Sequence, residues 1–285
     1  MITHISQPGT RREIGWKPTG WAFLDLFLVG FMNFGLLASV VRRDVSARYR
    51  GAALGAVWMV GAPLAMVAAY GFVVAGVFGM RTGAGSNVLE TVFGLWACLS
   101  AWQVFAETAN RASGMMFENA ALVKRTAFPL ALLPISSLLT ALVGACVSYA
   151  LIVVIYVMIA GWPPLTWIAL PAAFVPLCLF SLGTSYLLAA LGTFVRDVRH
   201  AVPLAVQVGM LVSPILYPAD KVPSAIGWVS LVNPLTPVFE AIRSAMLGDG
   251  LHWSRLVIVT AVAAVYCVST FHLFRKRAPE FADVV

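Results

Sequence analysis

Four arginines and a tyrosine lie within nine residues, immediately before a long apolar run. The stretch reads RRDVSARYR, and its basic and aromatic residues are Arg42, Arg43, Arg48, Tyr49 and Arg50. A guanidinium group binds the oxygens of phosphates and carboxylates through two parallel hydrogen bonds. Arginines before an apolar run also mark the cytoplasmic end of a membrane span. The stretch is therefore either an anion-binding site, a topology signal or both, and the rest of the chain bears on the choice.

Sequence patterns of nucleotide, metal and catalytic sites are absent. The sequence has no GxxxxGK[ST] loop for the phosphates of ATP, no HExxH pair and no paired-cysteine motif. The four cysteines lie in apolar runs and are expected to be small buried hydrophobic residues: Cys98, Cys146, Cys178 and Cys267. We predict no metal, no cofactor and no enzymatic activity in this chain, so a transporter of this sequence needs a partner that supplies energy.

The composition is that of an integral membrane protein. The chain is 60% hydrophobic and 11% charged, with a mean hydropathy of +0.88, whereas a soluble domain has about 25% charged residues. Its net charge is +7, but the basic residues are dispersed at the ends of apolar runs. This pattern is typical of topology signals and does not indicate nucleic-acid binding. We predict an all-α membrane fold.

Charges and prolines divide the apolar sequence into six predicted spans. A spanning helix needs about 20 apolar residues, and the 70 residues of 126–195 contain no charge. The sequence Gly161-Trp162-Pro163-Pro164 breaks this run, because proline lacks a donor and restricts the residue before it. Within a transmembrane domain of residues 51–275, the predicted spans cover 52–80, 88–109, 130–160, 166–195, 201–219 and 256–274.

The distribution of Lys and Arg predicts that both termini are cytoplasmic. With 1–20 and 276–285 as cytoplasmic tails, fifteen of the nineteen Lys and Arg residues lie inside or at inner span ends. Residues 21–50 are predicted to form an amphipathic helix in the inner interface and the basic segment that follows it. Because 21–41 is long enough to span the bilayer, a seventh span is the alternative.

The loop after the second predicted span has the charge order of a short helix. In RASGMMFENAALVKRT, Ser113 is the expected N-cap, Glu118 lies in the first turns, and Lys124 and Arg125 lie at the end. That order suits the helix dipole. A short cytoplasmic helix is either a docking element for a soluble partner or a plain solvated connection, and these residues alone favour neither.

The segment 220–254 is an outer segment that is unusually apolar. Asn233-Pro234 divides it, and the first piece is too short to cross the bilayer. In the second piece Thr236 is the expected N-cap and Gly248 the expected stop. We predict two short helices that re-enter the outer half of the membrane; an amphipathic hairpin on the outer surface is the alternative.

The fifth predicted span carries a polar and aromatic stripe. Its members fall at helical spacing: Gln207, Met210, Ser213, Pro214 and Tyr217. Sugars stack on aromatic rings and hydrogen-bond to amides, so this stripe suits a carbohydrate path. Helix packing explains the same spacing equally well.

Three segments of the chain resemble permease subunits of ABC-2-type polysaccharide exporters. VVRRDVSARYRGAALGAVWMVGAPL resembles their approach to the first span, and ENAALVKRTAFPLALLPISSLLTALV resembles their loop and the start of the third span. RDVRHAVPLAVQVGMLVSPILYPADKVPSAIGWVSLVNPLTPVFEAIRSAMLG resembles their fifth span and outer hairpin. The likeness runs over roughly residues 35–275, and the exporters of O-antigen and teichoic acid are the most similar.

The resemblance implies a transport system. In that family the permease is a homodimer in the bacterial inner membrane, with two copies of a separate ATPase subunit that binds ATP and Mg. The cargo is a polysaccharide on a polyprenyl-pyrophosphate lipid, which would enter through a lateral gate between spans one and five. The arginines and Tyr49 would then meet the pyrophosphate headgroup.

The resemblance also implies roles for other residues. The helix that couples to the ATPase would include Gly114, Phe117, Glu118, Asn119, Leu122 and Lys124. The outer gate would include Trp228, Asn233, Pro234, Phe239 and Glu240. Independently of the resemblance, we predict that the stripe on the fifth span and Trp58 line the channel, with the residues Trp58, Gln207, Met210, Ser213 and Tyr217.

Three other functions compete with this interpretation. The same architecture could export a drug, a lipid or an ion. A membrane-embedded glycosyl or acyl transferase would require clustered acidic or histidine residues, whereas the four histidines here are scattered. A passive channel would need no ATPase.

Overall fold

The computed structural model describes residues 30–50, 55–73, 88–124, 128–217 and 233–285, and every regular element in these ranges is helical. Three short 3₁₀ helices cover Gly55–Val57, Leu165–Ala169 and Ala278–Glu280. The α-helices are α1 (Phe34–Tyr49), α2 (Trp58–Gly71), α3 (Val88–Ala112), α4 (Met115–Glu118), α5 (Ala120–Val123), α6 (Leu132–Ala160), α7 (Leu170–Phe194), α8 (Val198–Val212), α9 (Thr236–Leu247), α10 (Trp253–Arg277) and α11 (Phe281–Val284).

Helix α3 is the centre of the bundle. It packs against α6, α7, α8 and α9, and its side chains Trp96 and Trp102 are buried in the main hydrophobic cluster. Helices α7 and α10 form a second long pair. A Cβ placed on Gly183 of α7 would lie 2.8 Å from the ring of Tyr266 of α10. A small residue therefore lets these two helices pack closely.

Three helical segments are long and apolar enough to cross a membrane. They are Leu132–Ala160, Leu165–Phe194 and Trp253–Val284, and two shorter apolar helices cover Trp58–Ala69 and Val198–Val212. Apolar side chains such as Val154 and Val265 are exposed on their surfaces. Such a surface suits lipid, whose chains are as apolar as these side chains. The described part of the chain is thus an all-helical membrane fold.

Helix α1 lies against the beginning of α6. Its side chains Leu37 and Val40 are buried, and Leu37 packs with Leu132 in a small separate cluster. On the same helix Phe34 remains exposed. The predicted interfacial segment 21–50 extends to residues outside the described ranges.

The fifth predicted span differs from the helix observed. Helix α8 ends at Val212, whereas the prediction extended it to residue 219. Ser213 is extended, with ψ of 144°, because proline at the next position disfavours the helical conformation of the residue before it. Ser213 and Tyr217 therefore do not continue the helical face of Gln207 and Met210.

Two predicted helix caps are also wrong. Gly114 is the N-cap of α4, and the Ser113 hydroxyl instead donates to the Asn110 carbonyl at 2.9 Å. Thr236 is the first residue of α9 and follows the N-cap Leu235. The stop at Gly248 is confirmed, since this residue has a left-handed φ of 86°, a conformation that glycine adopts without strain.

Candidate functional site

The residues 113–124, which we call the connector, are held against the end of α7 by a contact without space for a side chain. A Cβ on Gly192 would overlap the Ser113 carbonyl oxygen. The connector consists of two single helical turns, α4 and α5, which meet at Asn119. The predicted single helix is therefore a broken one, fixed to the bundle at its first residue.

An ion-paired cluster fixes α1 to the same region. The Asp44 carboxylate, whose side chain is 8% exposed, accepts from Arg43 at 3.0 Å and from Arg111 at 2.6 Å. Arg43 also donates to the Asn119 side chain at 3.2 Å. Asp44 thus joins α1 to the end of α3, and Arg43 joins α1 to the connector. We call Arg43, Asp44, Arg111 and Asn119 the inner cluster.

The connector also contacts the beginning of α8. The Arg199 guanidinium lies 3.7 Å from the centroid of the Phe117 ring, an arrangement that attracts a cation to the ring face. Of the other residues assigned to coupling, Glu118 and Lys124 are exposed, while Leu122 is half-buried. The connector therefore contacts α1, α7 and α8 and still presents charged side chains outward.

The five residues predicted to meet a headgroup fall into three groups. Arg43 belongs to the inner cluster, and Arg48 forms an ion pair with Glu107. Arg42 and Arg50 are exposed and form no ion pair within the described part of the chain. The side chain of Tyr49 lies outside the described residues. The two arginines open to an external anion are thus Arg42 and Arg50.

A cavity of about 660 Å³ lies between α3, α7, α8 and α10 in the described part of the chain. Among the residues predicted to line a channel, Ser213 borders it. Gln207 is exposed elsewhere on α8, and the Tyr217 hydroxyl donates back to the Leu211 and Val212 carbonyls at 3.1 Å. Its walls are mostly apolar, so a polar path along the predicted stripe does not run through this cavity.

A second cavity, of about 380 Å³, lies between α2, α3 and α6. Trp58 borders it together with Arg48 and Glu107. We call it the inner cavity. Its ion pair makes it the more polar of the two cavities.

The residues assigned to the outer gate lie mostly at the beginning of α9. Asn233 accepts from the Leu235 amide at 3.0 Å and donates to Ser213 at 2.8 Å, so it joins α9 to the end of α8. Phe239 is buried, with its ring centroid 6.2 Å from that of Trp102. Pro234 is exposed, and the carboxylate of Glu240 lies 3.8 Å from the guanidinium of Arg255. Trp228 lies outside the described residues.

The sequence that forms most of these helices matches a known protein family. Residues 35–247, about three quarters of the chain, match the family described as ABC-2 type transporter. The chain belongs to this family. The resemblance inferred from three segments is therefore confirmed, and it places this ABC-2 protein among membrane transport proteins.

Named relatives of this ABC-2 protein give a more specific comparison. Two proteins of Klebsiella pneumoniae, both named O-antigen export system permease protein RfbA, are 26% and 24% identical over 253 residues. A protein of the same name from Myxococcus xanthus is 26% identical over 254 residues. Each alignment covers 88% of this chain and 95% of the relative.

Sequence reasoning missed four residues that the fold brings to these sites. Asp44 and Glu107 form ion pairs with arginines. The Arg199 guanidinium lies over the ring of Phe117. The buried Arg243 donates to the carbonyls of Pro214 and Ile215. The role of Asp44 could have been predicted from the sequence, because Asp44 is the single acidic residue within the basic stretch. The partners of Glu107, Arg199 and Arg243 are distant in sequence, and periodicity does not reveal them.

Proposed function

We propose that this chain is the permease of an ATP-driven exporter that moves a polyprenyl-pyrophosphate-linked polysaccharide across the bacterial inner membrane. The observation that carries the proposal is the agreement of three relatives over 88% of the chain, all named as O-antigen export permeases. The absence of a phosphate-binding loop from the sequence supports a separate ATPase subunit.

The proposed assembly is a homodimer with two ATPase subunits. Each permease has six spans, α1 in the inner interface, both termini in the cytoplasm and short re-entrant helices before the last span. The three long apolar segments and the shorter α2 and α8 support this topology. The excess of Lys and Arg at the proposed inner ends supports the orientation.

The connector is proposed to be the docking element for the ATPase. Glu118 and Lys124 are exposed for such contact, while the opposite side of the connector reaches three helices. A displacement imposed on the connector is transmitted directly to α1 through Arg43 and to α8 through Phe117. These contacts link a soluble partner to α8, the proposed fifth span of the lateral gate, and to the interfacial helix α1 that precedes the first span.

The pyrophosphate headgroup is proposed to bind Arg42 and Arg50. Both side chains are exposed, and neither forms an ion pair with a carboxylate among the described residues that it would have to give up to bind a phosphate. Arg43 and Arg48 are engaged within the chain, so their first role is to hold helices together. Guanidinium geometry matters here because two parallel donors match two phosphate oxygens.

The assembly is tested by purifying the tagged chain from its own membranes in mild detergent without adding partners. A stoichiometric protein that bears GxxxxGK[ST], together with polysaccharide that accumulates in the cytoplasm of a deletion strain, is the expected result. A chain that is isolated alone, remains monomeric on crosslinking and gives no ATPase-dependent phenotype contradicts the proposal.

The headgroup role is tested by Arg42→Lys and Arg50→Lys, which keep the charge and remove the two-pronged geometry. Export in the deletion strain is expected to fall at least several-fold in the double variant. The matched control is Arg277→Lys, in an exposed pair with Glu280. If the double variant exports as well as the control does, guanidinium geometry is not required at these positions.

A further inference from the structure

The inner cavity has the dimensions of a narrow slot within the helical bundle. On α3 its lining runs from Glu107 to Trp96, and eleven residues of helix span about 16 Å. The cavity of about 380 Å³ is therefore elongated along α3. The slot therefore suits an extended chain better than a compact ligand.

Most of the wall of this slot is apolar. Met66 and Val67 come from α2, Leu99 from α3 and Ala145 from α6. The charged groups lie at one end, where Arg48 and Glu107 pair and Gln103 lies one turn away on α3. The hydroxyl side chains of Ser100 and Ser148 border the slot beyond them. Trp58 borders the slot and is 49% exposed. Tryptophan prefers the headgroup level of a membrane, so an amphiphile with its head at the ion pair matches this polarity.

The ion pair determines which headgroup fits. Arg48 and Glu107 are 34% and 22% exposed at the side chain, so a molecule in the slot can reach both. A headgroup with one phosphate and one ammonium satisfies both charges, since phosphate matches guanidinium and ammonium matches carboxylate. A headgroup with negative charge alone faces repulsion from Glu107. Trimethylated ammonium lacks the N–H donors that a carboxylate accepts.

We propose that the inner cavity binds a zwitterionic phospholipid with a primary ammonium, such as phosphatidylethanolamine. One acyl chain fills the slot, the phosphate binds Arg48, and the ammonium binds Glu107. The second chain lies along the exposed apolar side chains Val57 and Val60 of the adjoining helical segment. The bound lipid wedges α2 against α3 and α6 and is separate from the cargo proposed above.

The probe is the full-length protein in nanodiscs of phosphatidylcholine that contain either phosphatidylethanolamine or phosphatidylglycerol. Native mass spectrometry after release into detergent counts retained lipids, and thermal unfolding gives the stabilisation. One phosphatidylethanolamine per chain is expected to remain bound, with a higher unfolding midpoint than in phosphatidylglycerol.

Glu107→Gln separates this proposal from a purely anionic ligand. It is expected to reduce retained phosphatidylethanolamine at least tenfold and to leave phosphatidylglycerol unchanged or increased, because the repelling carboxylate is gone. The control Glu280→Gln removes a carboxylate from another arginine pair and is expected to retain the lipid. Equal retention by Glu107→Gln and the control overturns the proposal, as does stronger binding of phosphatidylglycerol than phosphatidylethanolamine by the native chain.

Ala62→Leu tests the slot without changing any charge. Ala62 is exposed and borders the cavity, and Ala68 is an exposed alanine on the same helix that does not border it. Ala62→Leu is expected to displace the phospholipid, while Ala68→Leu retains it; equal retention by both places the lipid elsewhere and overturns the proposal. These measurements need neither an ATPase nor a polysaccharide, so failure of the export proposal leaves them interpretable.

Discussion

The two ends of the helical bundle neutralise arginine in different ways. In the inner cluster, Arg43 and Arg111 meet the carboxylate of Asp44. At the other end, Arg243 of α9 is 8% exposed and donates to the Pro214 and Ile215 carbonyls at 3.0 and 2.9 Å. Backbone carbonyls are frequent partners of arginines at membrane depth.

The exposure of these arginines indicates which end of the bundle can rearrange. The side chains of Arg43 and Arg111 are 51% and 32% exposed, so water can hydrate both guanidinium groups when their ion pairs break. Arg243 has no such access, and any withdrawal leaves a buried cation and two buried carbonyls without partners. The inner cluster therefore suits a joint that opens and closes, whereas Arg243 fixes α9 to the segment after α8.

The largest effect is expected for Arg243→Met. It leaves the two carbonyls without their donor in the interior and should destabilise the fold by about 3 kcal/mol. Thermal unfolding in detergent is the measurement. Arg255→Met is the control, because Arg255 is 68% exposed and its partner Glu240 lies 3.8 Å away. Similar midpoints for the two variants would remove the distinction between a fixed and a movable end.

The next effect is expected for Gly192→Ala. Its Cβ would overlap the Ser113 carbonyl oxygen, so the connector must shift, at a cost of about 2 kcal/mol for overpacking. We expect a lower unfolding midpoint and weaker binding of the ATPase subunit. Gly94→Ala provides the control, since nothing lies within 4 Å of its added Cβ. Unchanged ATPase binding in Gly192→Ala would show that the connector need not be held in this position.

A smaller effect is expected for Asp44→Asn. Arg43 and Arg111 lose the negative charge they share and one of its two acceptor oxygens but stay hydrated, so the loss should be about 1–2 kcal/mol. The double variant Asp44→Asn/Arg111→Gln is expected to be less destabilised than the sum of the singles, because both remove one interaction. Additive shifts in the unfolding midpoint would mean that the two residues do not act together.

The smallest effect is expected for Arg277→Ala. Its pair with Glu280 is about half exposed on both sides, at 56% and 50%. Exposed pairs contribute roughly 0–1 kcal/mol, so thermal unfolding should be indistinguishable from that of the native chain. A shift as large as that of Asp44→Asn would show that exposure does not decide the strength of these pairs.

The long helices were accessible to sequence reasoning because hydropathy and proline act locally. Helix α6 ends at Ala160, directly before the Gly161 to Pro164 break, where Gly161 has a φ of 87°. The end of α8 also has a local signal in the sequence, because Pro214 disfavours a helical conformation at Ser213. The predicted end of the fifth span should therefore have been placed at Ser213. The prediction extended the helix because it followed hydropathy past this proline.

The sites were less accessible because their partners come from distant parts of the chain. Counting Lys and Arg treats Arg48 and Arg50 alike, yet only folding brings Glu107 to Arg48 and leaves Arg50 exposed. The same applies to Arg243, which looks like an ordinary outer charge in the sequence. Motif resemblance identified the family, whereas the pairing or exposure of each arginine depends on contacts that only the folded chain makes.

Gly209 divides α8 into a long arm and a short arm on either side of a close contact with α3. A Cβ there would lie 3.1 Å from the Trp102 ring, so α8 packs closely on α3 at this residue, which can act as a fulcrum. Arg199 lies ten residues, or about 15 Å, on one side, and Val212 lies three residues, or about 4.5 Å, on the other. A 3 Å displacement at the connector therefore moves the far end of α8 by about 1 Å, with a roughly threefold gain in force. Such a lever suits the opening of a tightly packed seam more than a wide swing.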